Sequence, residues 1–440
     1  MGTIIVITPR SAIAYLALLA GIFHFFPGAK LIGSSAVILV IALEWRHLRR
    51  VPRVVFAMAG LAALYAWVNH AAMLKPAVAN MLALTSLILS VTLLSSVLGR
   101  TRDLQRISVS LFDGKPSRRY LSLAFGTTLL AIPINVGSVG VIGSLVAERI
   151  RRTGDSAATR NATRAVLRGF GAAPIFSPLS ISLVMTLTLL PDLSSFELLA
   201  WAIPCALLIS LSGLLWREQE VEAVMGTGQE LAGWAEWVRF ALIILIICIG
   251  VFAGSHWLGL SYAYAVALSC LAVVVSGHVI TRVKKKSAPL PDLSHVGNEL
   301  AIVGGSAFIG AVISTGVINI VGEINLGFWW WPLVAAAVPW LFFALGLVGV
   351  NPILTGTIVA GILGTVWPTD GLLGLGIGIV TGWGITAFGT PYAANALLME
   401  RLSGYSAQEA SWRWNRAMSF FTLLFASLLA ATLTLTGIWR

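Results

Sequence analysis

The sequence predicts an all-α polytopic membrane protein, with eleven transmembrane helices and two re-entrant hairpins arranged as an inverted repeat. Three observations predict this fold: the composition, the positions of the basic residues, and the spacing of two Asn–Pro pairs. Of the 440 residues, 58% are hydrophobic and only 11% are charged, whereas charged residues make up about 25% of soluble domains. This composition excludes a water-soluble enzyme, because too few polar side chains remain to cover its surface.

A transmembrane helix needs about 20 predominantly apolar residues, and eleven stretches of the chain approach or meet this length. The predicted crossings are 10–27, 30–45, 54–73, 76–98, 169–190, 198–216, 239–255, 260–280, 299–320, 372–399 and 417–438. Two further apolar stretches, 120–148 and 328–367, do not fit as single crossings.

The basic residues explain the stretch 120–148, because lysine and arginine in short loops mark the cytoplasmic side of a membrane protein. Two crossings separate the basic loops 46–53 and 99–119, so both loops face the cytoplasm. A third basic loop, 149–168, follows 120–148 directly. If that stretch crossed once, the positive charges of the third loop would lie outside. A hairpin that returns to the side it entered avoids this conflict.

The same argument makes 328–367 a second re-entrant hairpin, which opens to the outside. With both hairpins in place, 26 of the 29 Lys and Arg residues face the cytoplasm, the N-terminus lies inside and the C-terminus lies outside. The net charge of +11 then records membrane orientation and does not indicate a nucleic-acid partner. We expect a multi-pass protein of a bacterial cytoplasmic (inner) membrane.

Four segments follow from this topology. They are an N-terminal helix at 1–29, a first repeat at 30–216, an amphipathic cytoplasmic linker at 217–238 and a second repeat at 239–440. Each repeat contains three helices, a hairpin and two further helices, and the two hairpins open to opposite sides. Inverted repeats of this kind are typical of secondary transporters.

The repeats also share an Asn–Pro spacing. Asn135 at the first hairpin tip precedes Pro178 by 43 residues, and Asn351 at the second tip precedes Pro391 by 40 residues. Proline within a span removes a backbone donor and breaks the helix. The freed carbonyls can hold a cation, and the N-terminal ends of the half-helices can hold an anion.

These residues resemble a known family, the ion transporter superfamily, and in particular its divalent anion/sodium symporters. The resemblance covers roughly residues 30–438 and rests on the order of crossings and hairpins, on Gly389-Thr390-Pro391 and on its counterpart Phe176-Ser177-Pro178. The hairpin tips depart from the Ser-Asn-Thr of that family. The resemblance implies a homodimer whose scaffold domain forms the interface, and a transport domain that moves like an elevator.

Carried onto this chain, the resemblance implies a substrate and ion site built from both hairpin tips and both broken helices. Its predicted residues are Asn135, Gly137, Ser138, Ser177, Pro178, Ser180, Asn351, Pro352, Thr355, Thr386, Gly389, Thr390, Pro391 and Asn395. A sodium ion is expected near Asn135, Ser138, Asn351 and Thr355, because hydroxyl, amide and carbonyl oxygens are suitable ligands for a hard cation.

The predicted site contains no carboxylate, and this favours sodium over a proton as the coupling ion. It contains no Lys or Arg, so a small anion, for example an organic mono- or dicarboxylate, would depend on helix dipoles and neutral donors. We expect no cofactor and no enzymatic activity, because the sequence has no recognisable catalytic motif. Two alternatives remain open: the membrane subunit of a multi-component importer or of an arsenite/oxyanion exporter, and a membrane enzyme or lipid carrier.

Overall fold

The computed structural model describes residues 8–99, 101–220, 232–283, 290–321 and 327–439. Within these ranges the chain contains helices and no strands, which confirms the predicted all-α fold class. Ten helical segments in this part of the chain are long and apolar enough to cross a membrane. The protein is therefore a multi-pass membrane protein by helix length and composition.

Eighteen α-helices are described. The helices before the linker are α1 Pro9–Ile22, α2 Ala29–Glu44, α3 Arg50–Asn69, α4 Leu74–Leu98, α5 Arg102–Ser110, α6 Pro116–Ile134, α7 Val136–Thr153, α8 Ala157–Phe176, α9 Ile181–Leu189 and α10 Ser195–Ser212. Those after it are α11 Trp234–Trp257, α12 Tyr262–Val283, α13 Gly297–Val321, α14 Trp330–Leu347, α15 Pro352–Val366, α16 Leu372–Gly389, α17 Ala394–Ser403 and α18 Arg416–Trp439. Short 3-10 turns cover Ala71–Met73, Gly213–Trp216 and Thr369–Gly371, and a π-turn covers Gln408–Arg413.

The first predicted crossing, 10–27, is longer than the helix found there, because α1 has only 14 residues. α2 matches the predicted 30–45 to within one residue, and its 16 residues, like the 14 of α1, are fewer than the about 20 that a bilayer crossing needs. The apolar run of 10–27 ends early because the chain turns before Gly28, whose φ of 79° begins α2. The two short helices pack against each other.

The second hairpin region also differs from its prediction. α14 and α15 meet at a four-residue turn inside the stretch 328–367, as predicted. α14 alone, however, is long and apolar enough to cross a membrane, whereas the sequence predicts no crossing in this stretch. By contrast, α6 and α7 of the first hairpin pack against each other and meet at the single residue Asn135.

Helix α8 begins twelve residues before the predicted crossing 169–190. Its start is fixed by Ser156, whose side chain accepts from the backbone N–H of Thr159 while the Thr159 hydroxyl accepts from the Ser156 N–H. Such a reciprocal cap stabilises a helix N-terminus. Consequently Arg164 and Arg168, which the sequence assigns to the cytoplasmic loop 149–168, are helical and buried.

The chain divides into two compact units, each built from both predicted repeats. The first unit draws its described residues from Met1–Val97, Leu245–Glu323 and Thr357–Thr365, and the second from Leu98–Ile244, Ile324–Gly356 and Val366–Arg440. The four predicted segments stay a prediction. Of the linker 217–238, residues 221–231 lie outside the described ranges and 234–238 form the start of α11.

Candidate functional site

Two helices of the second unit are interrupted at mid-length. Residues 177–180 separate α8 from α9, and residues 390–393 separate α16 from α17; these segments are break 1 and break 2. Each begins with a hydroxyl residue followed by proline, Ser177-Pro178 in break 1 and Thr390-Pro391 in break 2. Both interruptions therefore occur at the prolines from which the sequence predicts them.

The helices α8 and α16 cross with their backbones in contact at Gly171 and Gly384. A Cβ added at Gly171 would lie 2.7 Å from the carbonyl oxygen of Gly384, and one added at Gly384 would lie 2.5 Å from that of Gly171. Gly171 precedes Pro178 by 178 − 171 = 7 residues, and Gly384 precedes Pro391 by 391 − 384 = 7 residues. Equivalent residues thus face each other, which places an internal pseudo-twofold axis at this crossing.

A second pair of glycines allows the first helix of each hairpin to pack closely against the broken helix of the same repeat. A Cβ at Gly169 would collide with the backbone of Ala124 in α6, and one at Gly382 would lie 2.9 Å from Pro339 Cα in α14. The four glycines form a repeated pattern, a Gly-aromatic-Gly triplet that begins nine residues before the break proline: Gly169-Phe170-Gly171 and Gly382-Trp383-Gly384. The triplets are visible in the sequence, but the residues predicted for the site do not include them.

The second helix of each hairpin packs on the half-helix of the opposite repeat. Gly140 of α7 lies 3.9 Å, measured from an added Cβ, from Leu398 of α17, and Gly356 of α15 lies against Met185 of α9. The offsets are 356 − 140 = 216 and 398 − 185 = 213, the same as those of the tip asparagines (351 − 135) and the break prolines (391 − 178). The two repeats are therefore interleaved within the second unit.

Side chains satisfy the carbonyls that the break prolines leave without a helical donor. In break 1 the Ser180 hydroxyl donates to the Pro174 carbonyl at 3.3 Å, and in break 2 the Asn395 amide donates to the Ala387 carbonyl at 2.9 Å. Ser180 is half-buried, whereas Asn395 is only 2% exposed. The predicted site residues Ser180 and Asn395 thus stabilise the breaks, and Asn395 keeps an amide oxygen that can still accept a bond.

The predicted hydroxyl residues donate mainly to their own backbone. Ser138 donates to the carbonyl of Asn135 at 2.7 Å, Thr386 to that of Gly382 at 2.7 Å, and Thr390 to that of Thr386 at 2.8 Å. All three hydroxyl residues are buried. Each oxygen retains lone pairs that could accept a donor or contact a cation.

The first hairpin tip is strained. Asn135 has φ 46° and ψ −129°, the only positive φ of a non-glycine residue in the described part of the chain. Such a conformation costs about 1–3 kcal/mol and persists where the surrounding structure imposes it. The half-buried Asn135 amide makes no hydrogen bond to another described residue, and Gly137 beside it is exposed. The tip therefore presents a free amide.

The second hairpin tip, residues 348–351, is relaxed. α14 ends with Gly349 at φ 85° and with the N–H of Val350 donating to the carbonyl of Leu345 at 2.9 Å, the bond of a Schellman cap. Asn351 then caps α15, because its Oδ1 accepts from the Ile353 N–H at 2.9 Å. Pro352 occupies the first position of α15, where a missing N–H costs nothing.

This tip adjoins break 2. A Cβ at Gly349 would lie 3.6 Å from the ring of Tyr392, and one at Gly346 would collide with Thr386 and lie 3.3 Å from Thr390 Cγ2. Thr386 and Thr390 of the predicted site therefore lie against the C-terminal end of α14, next to the second tip.

Three buried hydroxyls near these elements have no hydrogen-bond partner among the described residues. They are Ser182 in α9, Thr355 in α15 and Ser419 in α18. Thr355 belongs to the predicted site. Ser182 and Ser419 do not, but a Cβ at Gly389 would lie 2.5 Å from Ser419 Oγ, which places that hydroxyl at the end of α16. Buried polar groups are normally paired, so these hydroxyls are candidates for contact with a ligand.

The start of the linker is bound to the second unit by ion pairs. Arg119 pairs with Glu220, both nearly fully buried, and Glu218 pairs with Arg160 at 2.8 Å and with Arg164 at 2.7 Å. Burial alone would raise the pKa of Glu218, but the hydrogen bond from Arg160 and the charge of Arg164 hold it below its usual value. The Glu218 carboxylate therefore stays charged at neutral pH.

Arg168 lies one turn beyond this cluster and is 1% exposed. The sequence predicts no basic residue near the site, yet Arg168 donates to Asn415 at 2.7 Å, and Asn415 donates to the Phe388 carbonyl at the end of α16. In the described ranges, no group of three or more His, Cys, Asp and Glu side chains could hold a metal ion.

Fold and site together define a multi-pass helical membrane protein with two broken helices paired about an internal axis. No family model and no curated relative matches the chain. Among solved structures, the chain is similar to the YdaH transporter of Alcanivorax borkumensis, described as having an unusual topology, with 13% identity, a TM-score of 0.48 and coverage of 84% of this chain and 88% of that chain. A similarity this remote assigns neither family nor function.

Proposed function

We propose that the protein is a secondary active transporter of a small anion, of the organic mono- or dicarboxylate class. One observation carries the proposal: α8 and α16 meet at Gly171 and Gly384, and both are broken seven residues later. Paired broken helices related by an internal axis are how secondary transporters place a substrate site within the membrane. A kink that served only helix packing would need no counterpart in the other repeat, whereas here the two breaks lie at the same distance from the axis.

Two helix N-termini support an anionic substrate. α7 of the first hairpin and the half-helix α17 have Asn135 and Ala393 at their N-cap positions without a side-chain cap, so backbone N–H groups in their first turns have no side-chain acceptor. Such ends carry a partial positive charge and bind anions through these N–H groups. Both helices lie in the second unit.

Sodium coupling is the second part of the proposal. The free amide of Asn135 at the first tip and the unpartnered hydroxyl of Thr355, one turn into α15, offer oxygen atoms as ligands, and Ser138 and Asn351 lie beside them in the sequence. Oxygen ligands of this kind suit Na⁺. None of the fourteen predicted site residues titrates near neutral pH, which disfavours a proton as the coupling ion.

The proposal includes membership of the ion transporter superfamily and its elevator mechanism in a homodimer. All fourteen predicted site residues fall within the second unit. That unit would carry the substrate, and the first unit would form the dimer interface, as the resemblance implies. An enzymatic role is not proposed.

Uptake into proteoliposomes tests the function. Purified protein is reconstituted, and radiolabelled small carboxylates are supplied with an inward sodium gradient, an equal concentration of sodium on both sides, or choline. We expect accumulation only with the gradient. Uptake that is independent of every sodium and proton gradient would contradict coupled transport.

Two variants test whether the hairpin tips form the transport site. Asn135→Ala and Asn351→Ala should abolish uptake while the protein remains folded in detergent. Asn69→Ala is the matched control, because Asn69 is an exposed asparagine of α3 in the first unit. If both tip variants transported at the rate of the control, the site assignment would be wrong.

A further inference from the structure

The guanidinium of Arg168 is buried among neutral acceptors. Its Nε donates to Asn415 Oδ1 at 2.7 Å, and its Nη1 donates to the Tyr120 hydroxyl at 2.8 Å and to the Gly213 carbonyl at 2.9 Å. Its Nη2 donates to the Trp216 carbonyl at 3.2 Å. A buried charge without a carboxylate partner is costly unless other groups compensate it.

Helix ends supply the compensation. Gly213 and Trp216 are the first and last residues of the 3-10 turn that follows α10, and carbonyls at a helix C-terminus carry partial negative charge and lack helical donors. Arg168 of α8 therefore caps the end of α10. Nη1 and Nη2 make the capping bonds, whereas Nε donates to Asn415, so the bond to Asn415 has a different role.

Asn415 connects Arg168 to break 2. The Asn415 side chain is fully buried, and its Nδ2 donates to the carbonyls of Phe388 at 3.3 Å and of Ala410 at 2.9 Å. Its orientation is fixed, because the opposite amide orientation would face nitrogen with the Arg168 donor and oxygen with the two carbonyls. The π-turn Gln408–Arg413, which contains Ala410, ends two residues before Asn415, and π-turns are frequent at functional sites.

Among the described residues, break 2 has this connection and break 1 does not. The residue of α8 equivalent to Phe388 is Ile175 (388 − 213 = 175), and no side chain in the described residues donates to its carbonyl. The equivalents of Arg168 and Asn415 in the other repeat are Thr381 and Ala202, which cannot form such a pair. The Arg168–Asn415 pair therefore departs from the pseudo-twofold symmetry of the two repeats.

We infer that Arg168 and Asn415 are positioning residues, through which the broken helix of the first repeat fixes the backbone of break 2. Arg168 orients the Asn415 amide, and the amide holds the Phe388 carbonyl just before Thr390 and Pro391. The inference rests on the proposed function only for its effect on transport, because the backbone of break 2 can be monitored without a substrate.

Asn415→Asp tests the link with little change in shape. The carboxylate keeps the acceptor for Arg168 and stays ionised beside it, but it places an oxygen where the amide donates to Phe388. Hydrogen–deuterium exchange of the detergent-solubilised protein should rise about five- to tenfold in peptides covering 386–397, the change expected from loss of one backbone-holding bond. Peptides covering 174–184, around break 1, should exchange as in the parent.

Ser427→Ala is the matched control. Ser427 lies on α18, the helix that begins directly after Asn415, and it likewise donates to a backbone carbonyl of another helix, that of Ala336, at 2.7 Å. This variant should leave exchange at 386–397 unchanged. If Asn415→Asp is unfolded, Asn415→Leu replaces it, since an apolar side chain of similar size removes both the donor and the acceptor.

Arg168→Gln should reproduce the exchange change at 386–397, and the double variant with Asn415→Asp should add little, because both residues act through one bond. Unchanged exchange at break 2 in folded Asn415→Asp would overturn the inference, and so would an equal increase at both breaks. Either result is independent of whether any substrate is transported, so failure of the proposed function would be recognised separately.

Discussion

Break 1 and break 2 have the same backbone design but are held differently. In break 1 a half-buried hydroxyl caps the freed carbonyl, and the Ile175 carbonyl beyond it receives no side-chain donor from the described residues. In break 2 buried amides of Asn395 and Asn415 engage both corresponding carbonyls. A shared fold therefore does not imply shared chemistry: two buried amides hold the two carbonyls before break 2, whereas one half-buried hydroxyl holds one of the two carbonyls before break 1.

The largest expected effect concerns what the two breaks have in common. Gly171→Val and Gly384→Val should each destabilise the protein strongly, by at least the roughly 1–3 kcal/mol typical of overpacking, because each added side chain meets backbone. Melting in detergent, followed by tryptophan fluorescence, measures both. The two variants should fall by similar amounts, since the two glycines are equivalent about the axis.

Gly60→Ala is the control for this pair. Gly60 lies within α3, and a Cβ there would meet nothing within 4 Å. Alanine should be neutral or stabilise by up to about 1 kcal/mol through helix propensity. A crossing variant as stable as this control would show that α8 and α16 do not meet at the glycines.

The carbonyl caps should differ in strength between the breaks. Asn395→Ala leaves the buried Ala387 carbonyl without its amide donor and should cost about 1–3 kcal/mol. Ser180→Ala removes a longer bond at a half-buried position, and it also removes the N-cap of α9, because the hydroxyl accepts from the Leu183 N–H at 3.2 Å. It should cost about 1 kcal/mol, less than Asn395→Ala. Thermal shift measurements on the two variants compare them directly, and a larger loss for Ser180→Ala would reverse the assignment of the rigid break.

The smallest effects are expected at the tips, and they should have opposite signs. Asn135→Gly should stabilise the protein by about 1 kcal/mol, because glycine adopts positive φ without strain. Asn351→Ala should destabilise it by about 1 kcal/mol, because α15 loses its N-cap. Equal shifts of one sign in the melting temperature would contradict the difference in backbone geometry between the tips.

Local sequence signals predict much of this architecture. Pro178 and Pro391 lie inside apolar runs, and both breaks fall at these prolines, as the sequence predicts. Proline alone does not decide this, because Pro133, Pro174, Pro204 and Pro339 lie within helices that continue through them. The Gly-aromatic-Gly triplets before these prolines are equally visible in the sequence. Their role becomes clear only when two helices separated by 213 residues are placed in contact.

Arg168 could not be predicted in the same way. Its acceptors are 45 to 247 residues distant in sequence, and a stretch with several arginines resembles a cytoplasmic loop until the Ser156 cap is known to start a helix there. The C-terminal end of α1 was mispredicted for a related reason. Apolar composition extends through the turn before Gly28 and conceals where the helix ends.

The interleaving of the two repeats has a consequence for biosynthesis. Gly140 packs against Leu398, which the ribosome adds 398 − 140 = 258 residues later. At the usual 5–20 residues per second, the glycine face of α7 waits roughly ten to fifty seconds for its partner. During that time this face of α7 lacks its packing partner. The first repeat can therefore complete its packing only after the second repeat has been synthesised.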